Sequence, residues 1–183
     1  LFPYTTLFRS GNDFLSDVVY EWEKIADSFI SEGLAERVVK LRMGVVLSKQ
    51  GGALEKIMFP IKHYFGASIG SGKQYFPWIH IDDICSIYQF SIENTNINGV
   101  YNASSPAHTT NSEFTKTLSK VLKRPIFLPN IPHFLIKLIF GESSVILLEG
   151  SKISSEKIQK HGYKFKYRNL KYALEEIAIS KRL

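Results

Sequence analysis

Ten residues early in the chain restrict its fold more than any other stretch: Val38-Val39-Lys40-Leu41-Arg42-Met43-Gly44-Val45-Val46-Leu47. The run is β-branched and nearly continuous in apolar residues. A strand with one wet face alternates apolar and polar residues, whereas a strand of a parallel sheet, covered by helices on both faces, does not. The run therefore predicts a buried strand of an α/β sheet. Its flanks supply helices. Phe14, Val18, Trp22, Ile25 and Phe29 recur every three or four residues and predict an amphipathic helix with one inward stripe. Asn12 or Asp13 is placed to cap it, and Gly33 to close it. Gly51-Gly52 predict a turn, and residues 53–64 a helix bent at Pro60.

The next stretch, 66–74, is glycine-rich and irregular, and leads into a short strand over 75–81. Asp82 and Asp83 then open a helix to about Glu93, as acids favoured by the helix dipole and placed to cap it. Val100 to Ala103 predict another strand. Thr110-Asn111-Ser112-Glu113 matches the capping box and opens a helix to about Leu122. Beyond Lys123 the texture changes. Pro125, Pro129 and Pro132 punctuate an extended segment before short helices over 132–140 and 142–149. A third, capped by Ser154 or Ser155, ends at Gly162. Residues 163–167 alternate aromatic and basic side chains, as an extended segment with one buried face would. Asn169 is placed to cap a last helix that turns Leu170, Tyr172, Ala173, Leu174 and Ile177 inward.

Residues 1–10 share none of this periodicity. They resemble the translated sequence of a DNA-sequencing adapter, a non-native segment to be set aside. The division expected is thus 1–10, then 11–124 as an αβαβ-like part, then 125–183 as a small basic helical module.

The charge follows that division. The net +6 resides in 151–183, where 9 Lys/Arg face 3 Glu, since 1–150 holds 14 of each sign. Such asymmetry suits a solvated face, or else a binding module using 163–172 on nucleic acid or an anionic surface. Cys85 is the only cysteine. It excludes an internal disulfide and a multi-cysteine zinc site, and fits a reducing, cytoplasmic setting. No apolar run approaches the roughly 20 residues that a membrane span needs.

Familiar chemical motifs fail on inspection. A P-loop needs a glycine five residues before Gly-Lys and then Ser or Thr; Gly72-Lys73 has Ala67 and Gln74 at those places. The dinucleotide fingerprint fails too, because no buried strand runs directly into this stretch and no helix directly follows it. His63, His80, His108, His133 and His161 are dispersed without metal-binding spacing. Cys85 lies inside a predicted helix, and no Ser sits in a nucleophile elbow. The most distinctive string is Trp78-Ile79-His80-Ile81-Asp82-Asp83. Trp78 and His80 share one strand face, which suits either a substrate-facing pair or a packed core strand.

Taken in order, several strings resemble one family. They are Asp13-Phe14-Leu15 with Trp22-Glu23; the run around Leu41-Arg42-Met43-Gly44; Gly51-Gly52-Ala53-Leu54; Gly70-Ser71-Gly72-Lys73-Gln74; Pro77 to Asp83; Gly99-Val100-Tyr101-Asn102 with Ser105-Pro106; Thr110 to Phe114; Leu147 to Lys152; and Gly162 to Phe165. This series is similar to the carboxy-terminal portion of the atypical extended short-chain dehydrogenases/reductases of the epimerase-like kind, over about residues 12–178. The resemblance implies an α/β fold: the closing half of a Rossmann-type doubly wound parallel sheet, plus a small carboxy-terminal module of unknown role. It implies NADP as cofactor and hydride transfer, within an epimerisation or oxidoreduction, on an unidentified small molecule. The family's cofactor fingerprint and tyrosine-based catalytic segment would lie upstream of residue 12, so no catalytic residue is assigned within the chain and this chain alone is expected to be inactive. Arg42 would lie near the nicotinamide half of the cofactor, or else pair with an acid at the sheet edge. Gln74, Trp78 and His80 would face the substrate.

Overall fold

The computed structural model describes residues 14–140, 148 and 150–179. Residues 1–10, the caps expected at Asn12 or Asp13, and the body of the short helix expected over 142–149 lie outside the described residues. Helix α1 (Phe14–Ser31) leads into strands β1 (Val39–Met43) and β2 (Val45–Leu47), then helix α2 (Ala53–Lys62). Strand β3 (Trp78–His80), helix α3 (Ile81–Glu93), strand β4 (Gly99–Ala103) and helix α4 (Asn111–Val121) follow. The chain continues through α5 (His133–Phe140), α6 (Glu156–Lys160) and α7 (Leu170–Ile179).

The long β-branched run is two strands rather than one. β1 pairs in parallel with β4, from Val39 opposite Gly99 to Met43 opposite Ala103. β2 pairs in parallel with β3, from Val45 opposite Trp78 to Leu47 opposite His80. The exchange of partners happens between adjacent residues: the Gly44 N–H donates to Ala103 O at 3.0 Å, and the Val45 N–H to Pro77 O at 2.8 Å. A Cβ on Gly44 would sit 3.0 Å from both the carbonyl carbon and oxygen of Pro77. A glycine therefore interrupts the β-branched run where the neighbouring backbone comes closest.

Alternation along β2 and β3 separates two cores. Val45, Leu47 and Trp78 face one, with Leu54, Met58 and Ile61 of α2, Phe114 and Leu118 of α4, and Leu170, Ala173, Leu174 and Ile177 of α7. Val46 and Ile79 face the other, with Ile84 and Ile87 of α3, Tyr101 and Ala103 of β4, and Ile158, Tyr163 and Phe165. Both faces of β2 are thus covered, with Leu47 fully buried and Val45 and Val46 half-buried. The expected two-faced burial does not hold for β1, where Val39 to Arg42 are half-buried and Met43 is exposed.

Helix α1 departs further from expectation. Trp22, Ile25 and Phe29, read as part of an inward stripe, are 69%, 57% and 47% exposed. Charge holds α1 to β1 instead: Lys40 Nζ lies 2.6 Å from Asp27, and Arg42 pairs with Glu23. In α7, Tyr172 is exposed rather than inward, although its ring stacks on that of Tyr167 at 5.5 Å. The other four inward residues are buried as expected, and the Tyr172 N–H donates to the capping Asn169 side chain.

The capping box of α4 forms in full. The Glu113 N–H donates to Thr110 Oγ1 at 3.2 Å, and the Thr110 N–H to Glu113 Oε2 at 2.7 Å. The backbone and hydroxyl hydrogen bonds from Thr110 hold the Glu113 carboxyl below its ordinary range, against a smaller opposing effect of burial. A depressed carboxyl pKa contributes stability above the unfolded value, near 4.5, that is lost as pH falls through the folded value. Thr110→Ala is expected to cost about 1 kcal/mol at neutral pH. Denaturation curves at pH 7 and pH 3 should show that penalty shrinking in acid, where the carboxylate no longer bonds back to the cap.

Candidate functional site

Parallel α/β sheets bind ligands outside the carboxyl ends of their strands. That rule points to the carboxyl ends of β1 and β4, which the irregular chain before β3 adjoins, since the Val45 N–H just past β1 donates to Pro77 O. There the backbone turns through positive φ at Gly70 and Gly72 and folds against the amino end of α4. Asn111 Oδ1 accepts from the Ile69 N–H at 2.8 Å, Gly72 O accepts from the Ser112 N–H at 2.9 Å, and Gln74 O accepts from the Asn111 N–H at 2.9 Å. Ser71 and Lys73 are exposed on this loop, and Gln74 is half-buried with its Nε2 donating to Ile69 O.

The three substrate candidates have unequal surroundings. Trp78 is fully buried in the first core, and its indole N–H donates to Thr109 Oγ1 at 3.1 Å. His80 is buried too, its ring stacked on Tyr167 at 3.7 Å. His80 Nδ1 accepts the Asp82 N–H at 3.1 Å, which leaves Nε2 as the protonated nitrogen facing Glu176 Oε2 at 3.2 Å. This corrects the expectation at α3. The helix begins one residue earlier, at Ile81, and its cap is the imidazole of His80 rather than the two acids.

The acids are thereby free to bind elsewhere. Asp83 is 1% exposed, and its carboxylate accepts the Lys166 N–H at 2.8 Å, the Tyr167 N–H at 2.9 Å and the Tyr163 hydroxyl at 3.2 Å. The same hydroxyl reaches Asp83 O at 2.9 Å. Burial, reinforced by the Asp83 charge, pushes the Tyr163 phenol far above its ordinary range, so it serves as a donor. Half-exposed Asp82 receives Lys166 Nζ and the Tyr167 hydroxyl, both at 3.2 Å. Burial works against its ionisation, but Lys166, His80 and Tyr167 together hold the carboxyl below its usual range.

Arg42 stands apart from this cluster. Its Nε and Nη2 lie 2.7 Å from the two carboxylate oxygens of Glu23 on α1, the sheet-edge pairing. The cavity beside it, about 260 Å³, is lined by Tyr20, Glu23, Lys24, Asp27, Lys40 and Arg42, so its charges are largely balanced within it. A dinucleotide needs backbone N–H groups from a glycine-rich strand-to-helix turn and an uncommitted counter-charge. With the fingerprint incomplete and Arg42 held by Glu23, the described residues do not by themselves form a cradle for NADP. Among them no group of three or more His, Cys, Asp or Glu is placed to hold a metal ion, and no helix is long and apolar enough to cross a membrane.

The nucleic-acid alternative for 163–172 meets a direct obstacle. The alternation is real, but Tyr163, Phe165 and Tyr167 are the inward residues, buried in the two cores, and Lys164 and Lys166 face out. These three rings, committed to the cores, cannot stack on bases, which leaves Tyr172 as the exposed ring of the segment. The sequence reading missed Asp83 as a buried acceptor, Tyr167 and Glu176 as partners of His80, and Thr109 as partner of Trp78. The single local signal was a second acid at the start of a helix already supplied with one.

Comparison with known proteins agrees with this architecture. Residues 131–177 match a family model described as a domain of unknown function, DUF1731. An epimerase family protein of Staphylococcus aureus (strain MRSA252) is 40% identical over 179 residues, which is 97% of this chain and 58% of that protein. The chain therefore spans a little over half the length of the curated relatives it matches. The crystal structure of human epimerase family protein SDR39U1 (isoform 2) with NADPH superposes with a TM-score of 0.74 at 38% identity, covering 78% of this chain and 48% of that one. A nucleoside-diphosphate sugar epimerase from Corynebacterium glutamicum gives 0.68 at 26% identity, covering 92% and 32%. Nearly the whole chain is thus similar to part of proteins named as epimerase family, and residues 131–177 match the domain of unknown function.

Proposed function

We propose that this chain forms the substrate-side, carboxy-terminal part of an NADP-dependent epimerase or oxidoreductase. The observation that supports it most is the likeness to the human relative, whose crystal structure contains NADPH. In this reading the pyrophosphate site and the tyrosine base come from the part of the relatives that the chain does not span. NADP supplies the hydride chemistry when bound. The residues here shape the other wall of the crevice. Gln74, with Ser71 and Lys73 beside it, is the group assigned to the substrate. Trp78 and His80 hold the strand behind it, and Arg42 fixes α1 on β1. The lone thiol of Cys85 supports a cytoplasmic setting for the whole enzyme.

The test is an NADP titration, followed by cofactor fluorescence or calorimetry. This chain alone is expected to bind NADP weakly or not at all, and a version extended upstream to the length of its relatives is expected to bind it. Nanomolar binding by the chain alone would mean that the cofactor site has been misplaced.

A further inference from the structure

We infer that the domain of unknown function, residues 131–177, is a clamp that sets the shape of the 68–75 loop. The inference rests on the substrate-side reading of that loop for its purpose, but its evidence is geometric. Both ends of the loop are bonded to the module's backbone. The Ile131 N–H donates to Ser68 O at 2.8 Å, and Ile131 O accepts from the Gly70 N–H at 2.8 Å, a parallel bridge outside any named strand. At the other end the Tyr75 N–H donates to Gly150 O at 3.3 Å. Ser71, Lys73 and Gln74 lie between these two holds.

Each hold is shaped to exclude slack. The ring of His133 occupies the space beside Gly70, so that a Cβ there would collide with the imidazole. A Cβ on Gly150 would overlap the carbonyl of Tyr75, so only glycine allows the two backbones to cross this closely. The module's far end is anchored separately, through Asp83 to the 163–167 backbone and through His80 to Glu176. It thus bonds both the loop before β3 and the chain just after it, at opposite ends of that strand. An appendage that only filled the core would need the apolar contacts of α7 but neither backbone hold. Ile131, His133 and Gly150 are on this account positioning residues, which act through the loop rather than on the substrate.

Hydrogen exchange on the full chain tests it, comparing the parent with His133→Ala, which removes the ring from Gly70, and Ile131→Pro, which removes the N–H bonded to Ser68. The Gly70 and Tyr75 amides are expected to exchange about tenfold faster in either variant, with the β2 and β3 amides unchanged. Unaltered protection of the loop in both variants would overturn the clamp. So would a rise shared equally by loop and core amides, which reports general loss of stability. The readout does not depend on where the substrate binds. Failure of the substrate-side reading would show separately, as an unchanged KM for Gln74→Ala in the full-length enzyme.

Discussion

Asp83→Ala is expected to lower the stability of the chain by on the order of 4 kcal/mol, the largest loss from any polar side chain in the described structure. The carboxylate takes two backbone N–H groups and one phenol, and it is 1% exposed. Hydrogen bonds to a charged acceptor contribute roughly 1.5–3 kcal/mol each, and the desolvation of the carboxylate, already suffered in the parent, offsets part of the sum. Removal leaves the Lys166 and Tyr167 N–H groups without their acceptor at the point where the chain passes from one core to the other. A domain of this size should then melt on the order of 10 °C lower. Asp83→Asn keeps one acceptor oxygen and should lose about half as much, whereas Asp82→Asn, at a half-exposed site, should lose little. Thermal and urea melts rank the three. Proteolysis within 160–179 in the Ala variant, under conditions where the parent resists, would locate the loss. The Tyr163 phenol adds an alkaline signature: with its pKa raised in the fold, its contribution is complete below the ordinary phenol value near 10 and fades as pH rises above it.

What the sequence disclosed and withheld divides along the range of the interactions. The Thr110–Glu113 box, the Gly33 close and the alternation over 163–167 are local, and each is present in the structure. The long β-branched run correctly announced a parallel sheet. Its division at Gly44 depends on Pro77 and Ala103, more than 30 residues away, and no local pattern carries that. Asp83 is the sharper case. At the third position of a helix an acid is satisfied by the dipole alone, so nothing marks it as buried; its partners stand 80 and more residues later. His80 as cap was hidden for a related reason, because imidazole caps a helix only where a fold holds the ring against the first turn. The α1 stripe has the period of a core helix, yet Trp22, Ile25 and Phe29 meet none of the described residues' cores. Periodicity reports which face a helix wants covered and not what covers it.

Trp78→Ala should cost about 3–5 kcal/mol, because it empties the largest fully buried side-chain position in the first core. The result decides how the Trp78-x-His80 pair is to be understood. A substrate-facing indole would be partly open to solvent, and its loss would fall on affinity while the fold survived. A core anchor has the opposite signature, and the geometry sets its size: Leu47, Leu54 and Phe114 crowd the same core from β2, α2 and α4, so the vacated volume cannot collapse without moving three elements. The milder Trp78→Phe separates bulk from hydrogen bonding. It keeps an aromatic ring but removes the donor to Thr109 Oγ1, and is expected to cost about 1 kcal/mol for that bond beyond the change in packing. Thr109→Val removes the acceptor, so the hydrogen bond should appear as a coupling of about 1 kcal/mol between the two positions in a double-mutant cycle. Full additivity would mean that Trp78 acts through its volume alone. A stable Trp78→Ala variant would mean that the core tolerates its loss, and would return the indole to the substrate side of the crevice beside Gln74.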